Sequence, residues 1–224
     1  MKLKKVLFTV IAASMLMFTA CGDSSSKGGS SKSDSSKADS SSLSSKAESS
    51  AVDPSKPDSK TDSGSSDKDT IVVYFSATGT TKGVAEKIAE AANADIYEIV
   101  PQEKYSDADL DWHDEKSRTT IEMNDPDARP KIEGDLPDLS GYKRVYIGYP
   151  IWWGDAPRIM STFVESVKLD GKTVVPFCTS EGSGIGSSGK NLEKQAGAGE
   201  WLSGDRLQGS MSVDDAKEWI DGLK

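Results

Sequence analysis

Three short segments combine hydroxyl-bearing, small and aromatic residues in patterns that suit ligand binding. The first is Ser76-Ala77-Thr78-Gly79-Thr80-Thr81, which follows an apolar run and precedes a helical pattern. A helix N-terminus attracts anions through its free N–H groups and its dipole. No Lys or Arg occurs here before Lys82, and the glycine and Gly-Lys positions of a Walker A loop are absent. The segment predicts phosphate binding by neutral donors, with an ordinary Ser/Thr-rich helix cap as the alternative.

The second segment carries two adjacent tryptophans. It reads Tyr149-Pro150-Ile151-Trp152-Trp153-Gly154 and begins at the end of another apolar run. Indole rings are costly to leave in water, and they offer flat faces to an aromatic ligand and N–H groups that need partners. This segment therefore predicts contact with an aromatic ligand, and the alternative is that both rings only cap the core.

The third segment consists almost entirely of small residues. It reads Thr179-Ser180-Glu181-Gly182-Ser183-Gly184-Ile185-Gly186, which permits a backbone-lined turn against the edge of a polar ring system. Gly184, Gly186 and Gly189 match a dinucleotide-binding fingerprint formally. That fingerprint belongs in the first βα unit with a carboxylate about 20 residues on, and neither condition is met here.

The elements that must position these segments alternate between strands and helices. Continuous apolar runs are typical of strands covered on both faces, and the predicted strands are residues 71–75, 95–100, 145–149, 173–178 and 206–211. Pro176 within the fourth strand implies a bulge or a missing ladder bond. The alternation predicts a three-layer, doubly wound parallel sheet of five strands, in which ligands bind beyond the carboxyl ends of the strands.

The predicted helices rest on spacing and on capping residues. Apolar faces are formed by Val84, Ala85, Ile88, Ala89 and Ala92, and by Met160, Phe163, Val164 and Val167. Asp155 is the expected N-cap of the latter helix, with Pro157 in its first turn. Ser212 and Asp215 form a candidate capping box before Val213, Ala216, Ile220 and Leu223. A further helix is predicted over residues 111–123.

Together, the three segments resemble the flavodoxin family, in its short bacterial branch with a Trp-Trp loop. Ser76, Thr78, Gly79 and Thr81 match the family's Ser/Thr-x-Thr-Gly-x-Thr pattern. The resemblance spans residues 70–224 and implies FMN as cofactor. It implies that residues 76–81 hold the phosphate, that residues 150–154 lie beside the isoalloxazine, and that residues 179–184 complete the ring pocket. Asp155 and Glu181 are then expected to flank the ring and to lower its potential.

The N-terminus is typical of an exported lipoprotein. A basic start is followed by a mostly apolar stretch of about fifteen residues, which is shorter than the ~20 that a transmembrane helix needs. The stretch ends Phe18-Thr19-Ala20-Cys21-Gly22, which resembles the lipobox of bacterial lipoproteins and implies lipidation of Cys21; an uncleaved anchor is the alternative. We expect a signal peptide and lipobox over residues 1–21, a disordered linker over residues 22–69, and a location outside the cytoplasm.

Composition limits the remaining possibilities. Residues 22–69 are rich in Ser, Lys and Asp and have few large aliphatics, so they bury too little surface to fold. The chain carries a net charge of −9, and residues 70–224 hold 17 Lys and Arg against 27 Asp and Glu. This acidity excludes nucleic acid as a partner and favours cationic surfaces. The single histidine, His113, excludes a His-rich metal site, and Cys178 is expected to be a buried thiol.

These observations predict an electron carrier, bound to the membrane only through a lipid anchor. Its expected partners are redox proteins or quinones. A quinone- or NAD(P)H-linked flavin reductase is the enzymatic alternative. In it, His113 would donate a proton to a quinone, and the other interpretation of His113 is a solvated surface histidine. A surface binding module without redox activity is a third possibility, against which the intact hydroxyls of the first segment count.

Overall fold

The computed structural model describes residues 68–223, in which strands and helices alternate. The strands are β1 (Thr70–Tyr74), β2 (Asp95–Glu98), β3 (Arg144–Pro150), β4 (Thr173–Thr179), β5 (Glu200–Trp201) and β6 (Asp205–Arg206). The helices are α1 (Thr80–Ala91), α2 (Arg118–Asn124), α3 (Arg158–Ser166), α4 (Ser188–Ala196) and α5 (Val213–Gly222). The predicted signal peptide, the lipobox and nearly all of the predicted linker lie outside the described residues.

The strands form one sheet of order β2-β1-β3-β4-β5, in which every paired strand is parallel to its neighbour. The strand order changes direction at β1, because β2 lies on one side of β1 and β3 lies on the other. The segments after β1, β3 and β4 therefore meet at one edge of the sheet, on either side of the switch point. The predicted doubly wound α/β fold is confirmed.

Helices cover both faces of the sheet because successive side chains point to opposite sides. From β1, Ile71 and Val73 enter the core that includes residues of α3 and α4, whereas Val72 and Tyr74 enter the core beneath α1 and α5. The predicted apolar face of α1 is buried at Val84, Ala85, Ile88 and Ala89. In the part of the chain that the model describes, no helix is long and apolar enough to cross a bilayer.

The fifth strand position differs from the prediction, and Pro176 explains the difference. Of residues 206–211, only Arg206 lies in a strand; β5 and β6 instead pair with separate parts of β4. The carbonyls of Val174 and Cys178 face this side and accept bonds from Leu202 and Leu207. Pro176 faces it too but has no N–H to donate, so the ladder breaks there. Between the two paired regions, the segment that joins β5 to β6 has one residue more than the facing part of β4, which is the predicted bulge.

Two helix starts also differ from the prediction. Asp155 is not the N-cap of α3, which begins at Arg158 with Pro157 in the cap position. The helix expected over residues 111–123 begins only at Arg118, because the Ser117 hydroxyl caps it by accepting a bond from the Thr120 N–H. The preceding residues form turns closed by Asp side chains, which compete with helical hydrogen bonds. The capping box of Ser212 and Asp215 is present at α5.

Candidate functional site

The ends of β1, β3 and β4 surround one cavity of about 700 Å³. Thirteen of the predicted site residues line it: Ala77, Thr78, Thr80 and Thr81 after β1, Pro150, Ile151, Trp152 and Trp153 after β3, and Thr179, Ser180, Glu181, Gly182 and Ser183 after β4. Ser76, Gly79, Gly154 and Gly184 belong to the same loops but do not line the cavity. The structure thus brings the three predicted segments together at the switch point.

The loop after β1 leaves the N-terminus of α1 open to a ligand. Its N-cap is Gly79, which lies in the left-handed region at φ 89° and has no side chain with which to cap the helix. The first N–H groups of a helix have no partner within it, whereas Ser117 and Ser212 supply a hydroxyl for this purpose at α2 and α5. Ser76 holds the loop by accepting a bond from the Gly79 N–H at 3.1 Å.

Thr81 connects the first loop to the third. Its hydroxyl lies 2.8 Å from that of Thr179, and both side chains are buried. A hydroxyl donates one hydrogen bond and can accept two. Each of these hydroxyls can therefore bond to the other and still form a hydrogen bond with a ligand. The pair fixes the start of α1 against the end of β4.

The cavity wall contains no Lys or Arg among the described residues, and Glu181 is its only charged member. Lys82 forms an ion pair with Glu98 at 3.7 Å. Arg206 supports the third loop, because its guanidinium donates a hydrogen bond to the Ser180 carbonyl at 3.1 Å. Any anion at α1 would therefore meet hydroxyls and N–H groups.

The loop after β3 is a tight turn that presents Trp153 at its tip. Trp152 and Asp155 exchange two backbone hydrogen bonds, each of 2.9 Å. The two residues between them, Trp153 and Gly154, have φ of 48° and 79°, which defines a type I′ turn. Gly tolerates this conformation, but a bulky side chain rarely adopts it. Trp153 is 46% exposed and lines the cavity.

Trp152 is held by edge-to-face contacts with two other aromatic rings. Its ring centroid lies 5.6 Å from that of Phe75 and 5.3 Å from that of Tyr105. The Tyr105 hydroxyl donates to Glu122 at 2.6 Å, and Arg118 donates to the same carboxylate at 2.7 Å. Burial, then this hydrogen bond, raises the pKa of Tyr105 far above its usual range. The segment between β2 and α2 thereby fixes the tryptophan loop.

The loop after β4 is closed by its own serine. The Ser180 hydroxyl accepts bonds from the N–H groups of Gly182 and Ser183. Glu181 lines the cavity, but Asp155 does not. One Asp155 oxygen accepts from the Ala156 N–H, and the other pairs with Arg158 at 3.6 Å. Asp155 is therefore held outside the wall of this cavity, and its place beside a ring stays a prediction.

Cys178 is a free, fully buried thiol next to Thr179. Burial raises its pKa to about 12. The prediction of a buried thiol is confirmed, and this pKa disfavours the thiolate, which is the nucleophilic form. Among the described residues, no group of three or more His, Cys, Asp and Glu could hold a metal ion.

Sequence reasoning missed four residues of the cavity wall: Leu110, Trp112, Thr119 and Gly209. Trp112 could have been identified as a site candidate, since an indole in an acidic segment without apolar periodicity has no core to enter. Gly209 could not; a Cβ there would lie 2.8 Å from the Thr80 methyl group, so the residue is placed by tertiary packing alone.

Comparison with known proteins identifies relatives of the described domain. A family model described as Flavodoxin matches residues 69–223. A candidate flavoprotein of Bacteroides eggerthii is 47% identical, with a TM-score of 0.64 over 68% of this chain and 95% of its own. One from Bacteroides uniformis is also 47% identical, with a TM-score of 0.65 over 68% and 97%. A flavoprotein of Lactobacillus acidophilus in complex with FMN is 22% identical, with a TM-score of 0.50 over 68% and 99%. No curated protein matches the chain.

Proposed function

The chain belongs to the flavodoxin family, and from that membership we propose that its domain binds one FMN non-covalently and carries electrons. The observation that carries this proposal is the uncapped N-terminus of α1 beside hydroxyls, in the same cavity as two tryptophans. FMN has a dianionic phosphate at one end and a planar tricyclic ring at the other. The cavity offers a complementary surface to each.

The residues near α1 fit the phosphate. Thr78, Thr80 and Thr81 supply hydroxyls, and the helix supplies N–H groups and the positive end of its dipole. A Cβ built on Gly79 would meet nothing within 4 Å, so the backbone there is open to a close approach. No carboxylate lies in residues 76–81 to repel an anion.

The residues after β3 and β4 fit the ring. Trp153 offers a solvent-accessible aromatic face, and Trp152 is fixed by its neighbours. Backbone groups of residues 180–183 can meet the polar edge of the ring. When bound, FMN supplies one- and two-electron redox chemistry, and the protein contributes binding, orientation and electrostatic tuning. Glu181 is expected to disfavour an anionic reduced flavin.

The electron partners follow from the charge of the domain. Residues 70–224 carry ten more acidic than basic side chains. Such a surface attracts a redox protein with a cationic face, and the attraction weakens as salt increases. We include in this proposal that Cys21 is lipidated and that residues 22–69 space the domain from the outer side of the cytoplasmic membrane.

An absorption spectrum of the purified protein tests the cofactor. We expect an oxidised-flavin spectrum, and flavin released by heat should migrate as FMN on chromatography. Adding FMN to stripped protein should restore the spectrum at one equivalent. Recovery of FAD or riboflavin from the native protein, or failure to bind added FMN, would contradict the proposal.

A further inference from the structure

The cavity has a third exposed indole, which comes from outside the three strand-end loops. Trp112 lies between β2 and α2, lines the cavity together with Leu110, and is 67% exposed. Its ring lies against that of His113, with the ring centroids 3.4 Å apart and the planes inclined at 33°. Large aromatic side chains this exposed on a cavity wall are characteristic of ligand contact.

The backbone around Trp112 is fixed rather than loose. The His113 N–H donates to the Asp111 carboxylate at 3.0 Å, and the Lys116 N–H donates to that of Asp114 at 2.8 Å. The buried Thr119 donates both its N–H and its hydroxyl to the carbonyl of Asp109, at 3.1 and 2.6 Å. The indole is therefore presented to the cavity by a bonded turn, which reduces the entropy lost when a ligand packs on it.

The charges around Trp112 restrict what can bind there. Residues 107–115 hold five carboxylates and no Lys or Arg, with Lys116 directly after them, and Glu181 adds another carboxylate on the cavity wall; the five are Asp107, Asp109, Asp111, Asp114 and Glu115. These carboxylates repel the phosphates of a nicotinamide dinucleotide. An uncharged planar molecule meets no such repulsion and gains the stacking contact.

We propose that Trp112, backed by His113, forms a second subsite of the cavity, which takes an uncharged planar electron acceptor of the quinone class. The proposal rests on the proposed function, since the acceptor draws its electrons from the bound flavin. The quinone gains two electrons and two protons from the reduced flavin and forms an O–H bond at each carbonyl oxygen. The flavin is left oxidised, and an electron-donor protein returns it to the reduced form.

Binding to the oxidised, FMN-loaded full-length protein tests the subsite without turnover. Calorimetry would compare naphthoquinone with its sulfonate, which has the same rings and one negative charge. We expect the sulfonate to bind at least about tenfold more weakly. Trp112→Ala should weaken naphthoquinone binding by about tenfold or more, the scale of one lost aromatic stack, and Trp112→Phe should restore most of it.

Three further variants separate stacking, charge and the flavin site. Asp111→Asn with Asp114→Asn keeps the acceptor oxygens of the turn and should reduce the difference between the two quinones. Ile121→Ala removes an exposed apolar side chain that does not line the cavity, so it should change neither affinity. FMN affinity should stay within about twofold in all of these variants.

The outcomes distinguish this inference from the proposed function. If the wild-type protein binds no FMN, the proposed function fails and the subsite fails with it. If FMN binds but Trp112→Ala lowers FMN affinity tenfold, Trp112 belongs to the flavin site and the inference is overturned. Equal binding of both quinones, or unchanged binding in Trp112→Ala, would overturn it as well.

Discussion

Trp153 combines an exposed indole with a backbone conformation that costs a side chain about 1–2 kcal/mol. Asn and Gly are the residues that favour this position in a type I′ turn. We expect Trp153→Asn to raise the free energy of unfolding of the flavin-free protein by about 1 kcal/mol and to weaken FMN binding. Urea denaturation and flavin titration measure the two effects.

Trp153→Phe is the matched control, because it retains both the strained backbone and an aromatic face. Its stability should stay near that of the wild type, and its FMN affinity should fall less than in Trp153→Asn. A Trp153→Asn variant that binds FMN as tightly as the wild type would show that the indole contributes nothing to the flavin site.

The phosphate donors can be tested one hydroxyl at a time. A hydrogen bond to a charged group is worth about 1.5–3 kcal/mol, so Thr78→Val should weaken FMN binding by about tenfold or more and leave riboflavin binding nearly unchanged. Thr81→Val should also lower stability, because it leaves the buried Thr179 hydroxyl without its partner. Parallel titrations of both flavins measure the difference.

Lys82→Ala is the control for a cationic contribution. Its side chain pairs with Glu98 and does not line the cavity, so FMN affinity should change little. Loss of FMN binding in this variant, or equal loss of riboflavin and FMN in Thr78→Val, would contradict binding of the phosphate by neutral donors.

Cys178 makes stability depend on alkaline pH. Its pKa is raised from 9.0 to about 12 by burial, so the folded state keeps a proton that the unfolded chain releases. Stability from this group is therefore complete below pH 9 and is lost as the pH rises toward 12, by up to about 1.4 kcal/mol per pH unit. Denaturation at several pH values should show a shallower decline above pH 9 for Cys178→Ala; an identical slope would contradict the assignment.

At the scale of elements, β3 and β4 depend on one close contact. A Cβ on Gly148 would lie 2.2 Å from the ring of Phe177, its partner across the two strands. We expect Gly148→Ala to lower the free energy of unfolding by about 1–3 kcal/mol, the usual cost of overpacking. Phe177→Leu in the same chain should recover part of that loss, since a smaller side chain leaves room. Purely additive effects in this double-mutant cycle would contradict the contact.

The buried strands were predictable because their apolar sequences reflect burial on both faces of the sheet. β1, β3 and β4 are covered on both faces, so each is a continuous apolar run, and the segments after them could be assigned to one edge of the sheet. β5 and β6 are two residues each and carry no such run. Their pairing is decided by Pro176 on a neighbouring strand, which local periodicity does not reveal.

The same reasoning explains which parts of the candidate site were predictable. Residues 76–81, 150–154 and 179–184 follow strands, so topology alone brings them together. Trp112 reaches the cavity through turns closed by Asp side chains and through the buried bonds of Thr119. These contacts depend on tertiary structure, so the sequence indicates only that this indole has no core to enter and does not reveal that it reaches the cavity.

For the whole molecule, we propose from the acidic domain and from Cys21 that the protein is an electron carrier tethered to a membrane. An acidic domain is not attracted to anionic lipid, so in this proposal the tether supplies the membrane affinity. Two acyl signals are needed for stable anchoring, since one chain binds only marginally. Lipidation of Cys21 at the lipobox-like sequence is the modification that we propose for this purpose.

Substitution of the two cysteines tests the tether. We expect Cys21→Ala to abolish lipid labelling and to move the protein from the membrane fraction into the soluble fraction, with its flavin spectrum unchanged. Cys178→Ala is the matched control, because its thiol is buried in the sheet and cannot be acylated without unfolding; it should remain labelled and membrane-bound. Membrane retention of Cys21→Ala with lipid still attached would show that another residue carries the anchor. Retention without lipid would indicate that the N-terminal apolar stretch itself holds the protein, as an uncleaved anchor.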